Sequence, residues 1–236
     1  MNNDEDFCID AYVEGEQFDP RAVPRELDLF ATTPEELAVA WNWRWQPGQE
    51  LRISFLDGSR TLHRQVEHYA RTWLDHANLA FSFGNYPDPE IRISFRGAGA
   101  SSLVGTQAMS QPRDLPTMRL GRLAGQSEKR NRRTVLHEFG HAIGCIHEQA
   151  SPASSIPWDE AKVYYEFRKL GWSDERIYNN ILVRYSNQGY RFSAYDPKSI
   201  MQYPISSRWT RNGFEVGWNT DLSKLDKSFI SRVYPR

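Results

Sequence analysis

The stretch that most constrains this 236-residue chain is His137 to His147, HEFGHAIGCIH. Two histidines four apart on a helix stand on nearly one face, about 40° apart around the axis, so their imidazoles can converge on one metal ion. Glu138 sits beside the first, where a carboxylate can hold and deprotonate a water in the metal's open position. Three residues beyond His141 comes Gly144, and three beyond that His147. Glycine takes positive φ at little cost and ends helices, so the chain can turn and bring His147 back to the same ion. Three neutral nitrogens and one vacancy make the donor set of a catalytic zinc rather than a structural one. Histidines that merely face core or solvent are the rival reading of any lone HxxxH. Here His137, Glu138, His141, Gly144 and His147 occur together, which chance yields in a chain this long about once in ten thousand. Zn2+ is therefore the expected cofactor.

Composition serves mainly to exclude. Apolar residues at 39%, aromatics at 13% and charged residues at 25% suit a globular chain long enough to bury a sizeable core. A net charge of −1 gives no polybasic surface, so neither nucleic acid nor a membrane is expected as a partner. No apolar run approaches 18 residues, which argues against a transmembrane helix. The opening MNNDEDFCID is acidic where a signal peptide is basic and then apolar, so the chain reads as leaderless, cytoplasmic, or stripped of a leader. Two cysteines, Cys8 and Cys145, provide no disulfide framework. Cys145 reads as a small buried hydrophobe. A Cys8–Cys145 bridge and a Cys8 thiolate in the open zinc position are the alternatives.

Residues 1–35, broken by Pro20, Pro24 and Pro34, read as an extension that wraps the domain or as a prosegment. Thr33-Pro34-Glu35-Glu36 predicts a helix start, with the helix carrying Leu37 to Trp41. Trp41, Trp43 and Trp45 alternate as one buried face of a strand. The rival, a stacking platform for sugars or bases, lacks electrostatic support for nucleic acid. Strands are expected at Leu51 to Gly58, Leu79 to Phe83, Ile91 to Phe95 and Thr117 to Gly121. Leu62, Val66, Tyr69, Trp73 and Ala77 have the spacing of an amphipathic helix over 61–78. His63, His68 and His76 on it share no face and read as solvated or capping residues. Gly97 to Ser102 reads as a loop and Leu103 to Met109 as a strand bordering a cleft. There Thr106, Gln107, Ala108 and Met109 would hold an extended peptide. The metal helix should run from Glu128 to about Ile143 under a Ser127 cap, with Lys129, Arg130, Arg132 and Arg133 as a solvated face. Beyond it come the linker Ser151 to Pro157, helical stretches at Trp158 to Leu170 and Asp174 to Tyr185, and a last helix. Asp221 or Ser223 would cap that helix, which ends near Val233. The pattern is α+β: a twisted mixed sheet carrying helices, then an irregular half. Two subdomains, about 36–146 and 147–236, are expected to face each other across a cleft.

HEFGHAIGCIH together with SIMQY (Ser199 to Tyr203) resembles the metzincin clan of zinc endopeptidases, whose methionine turn beneath the metal matches Met201. Within the clan the chain most resembles the astacin family. Glu148 follows the third histidine, Tyr203 stands two residues after the turn methionine, and YDPKSIMQYP (Tyr195 to Pro204) is similar to the family pattern. The resemblance implies a metzincin-like fold and a secreted endopeptidase acting on proteins or peptides, and a monomer is expected. It also implies that Tyr203 is a mobile fifth zinc ligand that swings away to bind the oxyanion, and that Met201 shapes an apolar floor. Glu148 would contact the amino group of a matured N-terminus. The chain departs from the family at Gln202, where a histidine is usual, and in having too few cysteines for the family's two disulfides. It also begins upstream of where the matured terminus would fall. Two other readings are a narrow processing or self-processing protease and a noncatalytic zinc-containing binding module. An intact Glu138 and Tyr203 argue against the second.

Overall fold

The structure, a computed structural model, describes residues 39–97, 99–186 and 190–236. The extension, Cys8 and the helix start at Thr33 lie outside the described residues. The first strand, β1 (Val39–Ala40), leads into a 3-10 turn at Trp41–Trp43, so neither the helix expected through Trp41 nor the tryptophan strand is present there. The three indoles serve different ends. Trp41 lies between the guanidinium groups of Arg44 and Arg191, 3.8 and 3.9 Å from its ring centre. Trp45 is buried, and its Nε1–H donates to the Ala142 carbonyl at 2.8 Å.

Next come β2 (Glu50–Phe55), α1 (Arg60–Ala70), β3 (Ala80–Phe83), β4 (Ile91–Ser94), β5 (Ala100–Ser102) and β6 (Met118–Leu120). The five-stranded sheet runs β3-β2-β4-β6-β5. Its first four strands are parallel, and β5 pairs antiparallel with β6 at one edge. Leu51, Ile53, Ile91, Ile93 and Met118 are buried against α1 and the metal helix α2 (Glu128–Ala142). α1 begins where Ser59 Oγ accepts from Leu62 N and passes into a 3-10 turn at Arg71–Asp75. There Trp73 donates its indole N–H to the Leu136 carbonyl of α2 at 2.9 Å. His63 lies flat on Phe55, 4.0 Å between ring centres, with Nε2 2.8 Å from the Asp57 carbonyl.

The edge strand lies one segment earlier than expected. The Gly- and Ser-rich stretch supplies β5, whereas Gly105–Met109 coils into a 3-10 helix. Gly105 takes φ 51°, and Gln107 turns both its backbone N–H and its side-chain oxygen onto Val104. Those groups are thereby lost to any sheet. Ala108 is buried in the core while Met109 is exposed, and Thr106 to Met109 turn in that helix instead of running along a strand.

Past the metal helix lie α3 (Glu160–Lys169) and a single α turn, α4 (Asp174–Ile177), that continues as a π turn at Tyr178–Leu182. Asp159 and Ser173 cap them. Val163, Phe167, Trp172, Ile177 and Ile181 form a second apolar cluster, which also takes in Tyr203. β7 (Tyr190–Arg191) pairs with β1. α5 (Lys224–Val233) is capped by Ser223 and packs back on the first core: Phe229, Ile230, Val233 and Tyr234 are buried there with Ile200 and Met201.

Candidate metal centre

α2 ends where the motif requires. With Ile143 as its cap, Gly144 N–H donates to the His141 carbonyl at 2.8 Å and Cys145 N–H to the Gly140 carbonyl at 2.9 Å. This pair of bonds is the Schellman closure, which needs a left-handed residue at the first position past the cap. Gly144 supplies it with φ 100°. The remaining end carbonyls are also satisfied. Phe139 O accepts from Ile143 N, Ala142 O from the Trp45 indole, and Ile143 O from Tyr234 Oη at 2.7 Å. Cys145 is buried and free, packed as a small hydrophobe rather than bridged.

The turn delivers His147 to the other two histidines. All three are buried, and their donor atoms lie within 4.8 Å of one another. Nε2 of His141 and Nε2 of His147 are 3.1 Å apart. Zinc–nitrogen bonds of about 2.0–2.1 Å place two nitrogens of a tetrahedron about 3.3 Å apart. His137 Nδ1 faces the Ile200 carbonyl at 2.8 Å, and His141 Nδ1 faces the Cys145 carbonyl at 2.9 Å. A ring nitrogen against a carbonyl carries the proton, so Nε2 keeps its lone pair, the arrangement of metal-ligating histidines. His137 Nε2 is buried without a hydrogen-bond partner among the described residues. Burial, then the neighbouring His141, His147 and Arg133, push the His137 pKa well below its ordinary value, against the Ile200 carbonyl. The ring is therefore neutral near pH 7. Ring nitrogens crowded together in a buried site repel unless a cation lies among their lone pairs, and the cluster fits Zn2+.

Glu138 is buried on α2 beside the first ligand. Tyr203 is buried with its ring centre 4.3 Å from that of His147 and 5.9 Å from that of His137. Met201 passes under the helix. A Cβ at Gly140 would stand 2.3 Å from Met201 Sδ, so the methionine takes the space that the missing side chain leaves. The turn carrying Met201 and Tyr203 is tied from three sides. Asp226 of α5 accepts from Ser199 Oγ and from Ile200 N, at 2.7 and 2.8 Å. Asn219 Nδ2 donates to the Pro197 and Ser199 carbonyls. Arg133 donates to the Gln202 carbonyl at 3.0 Å and the Asn219 carbonyl at 2.6 Å. Arg133 is thus buried, not solvated as its place in a basic run suggests, because backbone carbonyls stand in for water around its guanidinium. Arg132 keeps to the surface pairing with Asp221.

Glu148 is buried next to His147. Its Oε1 accepts from Asp196 N at 2.8 Å, and Oε2 has no hydrogen-bond partner among the described residues. Burial, with Asp226 and Asp196 adding to it, pushes its carboxyl up to about 8 against the pull of the Asp196 amide. Sequence reasoning singled out Glu148 and the burial of Trp45 but missed Gly140 and Asp226. Gly140 lies inside the motif at a position the metal chemistry leaves open, and Asp226 is legible only as the third residue of a capping box.

A three-histidine cluster on a helix and its closing turn, a buried glutamate beside the first ligand, and a methionine turn beneath define a zinc metallopeptidase of the metzincin kind. No family model matches the chain, and no curated protein sequence does. Among solved structures, one of myroilysin is 42% identical over 84% of this chain and 98% of its own, with a TM-score of 0.82. A crystal structure of myroilysin is 37% identical over 100% of this chain and 93% of its own, with a TM-score of 0.70. High choriolytic enzyme 1, a hatching enzyme zinc-protease from Oryzias latipes (medaka fish), shares the fold at 17% identity. Its TM-score is 0.59, over 82% of this chain and 94% of its own. The chain belongs to the astacin-like zinc metallopeptidases.

Proposed function

We propose that the chain hydrolyses peptide bonds within proteins or peptides, with His137, His141 and His147 holding zinc. A bound ion would supply a Lewis acid that lowers the pKa of a water to about 7 and polarises a carbonyl. Glu138 accepts the proton of the attacking water and passes it to the leaving amine. Tyr203, swung from its place against His147, donates its hydroxyl to the oxygen on which negative charge develops. Met201 and Gly140 together form the apolar floor. A substrate strand pairs with the edge of β5 that no strand occupies among the described residues, beside Thr106 to Met109. Residues 36–146 and 147–236 form the two walls of the cleft, and the enzyme works as a secreted monomer.

The observation that carries this reading is the set of three converging imidazoles with a buried glutamate beside them, since a structural zinc needs no such base. Glu138→Gln is expected to keep stoichiometric zinc and lower kcat on a protein substrate by about 10²–10⁴-fold. Metal analysis and initial rates on the same preparation test it, and turnover close to the parent's removes Glu138 from the mechanism.

Glu148 Oε2, without a hydrogen-bond partner among the described residues, favours a second reading, that the chain is processed near residue 35. A new amino terminus would give this carboxylate a cationic partner, in keeping with the family resemblance. Mass spectrometry of the active protein tests it: a chain still beginning at Met1 in fully active material excludes the processing.

A further inference from the structure

We propose that α5 is a two-point brace on the metal centre, with Asp226 fixing the His137 ring and Tyr234 fixing the turn that delivers His147. The inference rests on the three histidines being a zinc site. It concerns two residues that touch neither the ligands nor the expected substrate.

At the first point, Asp226 receives three donors on two oxygens: Ser199 Oγ on Oδ1, and the Ile200 and Ser223 amides on Oδ2. Ser199 Oγ in turn accepts from Met201 N at 3.0 Å. Ile200 is thereby held on its N–H side by α5, and its own carbonyl meets His137 Nδ1 at 2.8 Å. One residue, Ile200, lies between the helix and the ligand. The orientation and tautomer of His137 depend on where that carbonyl points.

At the second point, Tyr234 Oη donates to the Ile143 carbonyl at 2.7 Å and accepts from Trp45 N at 3.2 Å. Ile143 is the cap of α2, and the next residue is Gly144, where the chain leaves the helix. The hydroxyl therefore sets the peptide that begins the path to His147. Both contacts are carried by one short helix, anchored by Phe229, Ile230 and Val233 in the core. Outer partners of metal ligands commonly change metal affinity by 10–100-fold when removed. α5 therefore holds the two ends of the ligand set at a fixed separation.

The test is zinc affinity of the full chain, read by competition with a chromophoric chelator, alongside the melting temperature of the zinc-free form. Tyr234→Phe keeps the ring and its packing and is expected to weaken zinc binding about 10-fold. Asp226→Ala is expected to weaken it by up to about 100-fold. Asp226→Asn should recover most of this, because its amide oxygen can still accept from Ile200 N while its amide donates to Ser199 Oγ. Ser223→Ala removes the cap of α5 without touching Ile200 or Ile143. It should lower the melting temperature and leave zinc affinity within twofold of the parent. Affinities within twofold of the parent in both Tyr234→Phe and Asp226→Ala overturn the brace. If Asp226→Ala does not fold, the Tyr234→Phe result decides alone. A parent chain that binds no zinc overturns the reading of the site itself, a result separable from any outcome in the variants.

Discussion

The two stretches that meet at the metal centre are built in opposite ways. The metal helix and its turn, residues 127–147, close largely on themselves: a serine cap, a helical face, a Schellman end and Gly144 at φ 100°. The methionine turn, residues 196–203, has turn bonds of its own, Ser199 N to the Asp196 carbonyl and Met201 N to Ser199 Oγ, but is also tied from outside, by Arg133 of α2, Asn219 and Asp226 of α5. The first kind of structure follows from spacing along the chain. The second depends on groups far away in sequence, so the same conformation would not arise from SIMQY alone. The metal chemistry is thus assigned by the local stretch and its geometry is held by the non-local one.

The largest expected effect falls on the local stretch. His141→Ala removes the ligand shared by both sides of the cluster, and binding free energy is linked to folding. Loss of stoichiometric zinc and of measurable peptide hydrolysis is expected, with a lower melting temperature that added zinc does not restore. Retention of zinc by this variant, measured after dialysis, would mean that the ion is held elsewhere.

This division also explains what was legible in the sequence. His137, His141, His147, Glu138 and Gly144 could be placed because their spacing and the helix period determine one another. The four parallel strands and α1 followed from alternation and apolar spacing, and the metal helix was bounded to within a residue by Ser127 and Gly144. β5 was missed because Gly97 to Ser102 has the composition of a loop, and the antiparallel partner that makes it a strand is β6, some 20 residues on. Arg133 looked like one member of a basic run. Only the fold brings the carbonyls of residues 202 and 219 to it, and no local pattern announces an arginine solvated by backbone. The tryptophan triplet has the period of a strand, yet Trp45 is fixed by a helix end 97 residues away.

A middle-sized effect is expected at the seam between the two stretches. Arg133→Leu leaves the Gln202 and Asn219 carbonyls without their charged donor in a buried place. A destabilisation of about 3 kcal/mol is expected, since bonds to charged groups are worth about 1.5–3 kcal/mol each and the vacated carbonyls remain buried. Zinc should remain bound, because the ligands stay on α2 and its turn, while kcat falls as Tyr203 loses the anchor of the preceding peptide. Denaturant midpoints and rates on the same variant check this. An unchanged midpoint with unchanged kcat would show that the methionine turn holds its own shape without Arg133.

The smallest effect concerns Glu148, at the junction of His147 and the methionine turn, where Glu148 N also donates to the Met201 carbonyl. Its carboxyl is raised from 4.5 to about 8 by burial first, and Asp196 and Asp226 lie close enough to add to the shift. Between those two values the folded chain keeps a proton that the unfolded chain has released. The contribution of this group to stability is therefore fully present below pH 4.5 and is lost as pH rises toward 8, the direction set when the native state binds more protons. Asp226, raised to about 6, contributes with the same sign at the lower end of the window. Glu148→Gln keeps an oxygen for the Asp196 amide and removes the titration. The variant should match the parent near pH 5 and exceed it by about 1–3 kcal/mol at pH 8 in the unprocessed chain, after allowance for relaxation around the buried charge. Chemical denaturation at the two pH values measures the difference. Once an amino group sits against Oε2 the sign reverses, because the charged form is then the paired one and its loss leaves a buried cation. The same substitution, made in processed and unprocessed chains, thus reports which of the two states of the N-terminus this turn was built to hold.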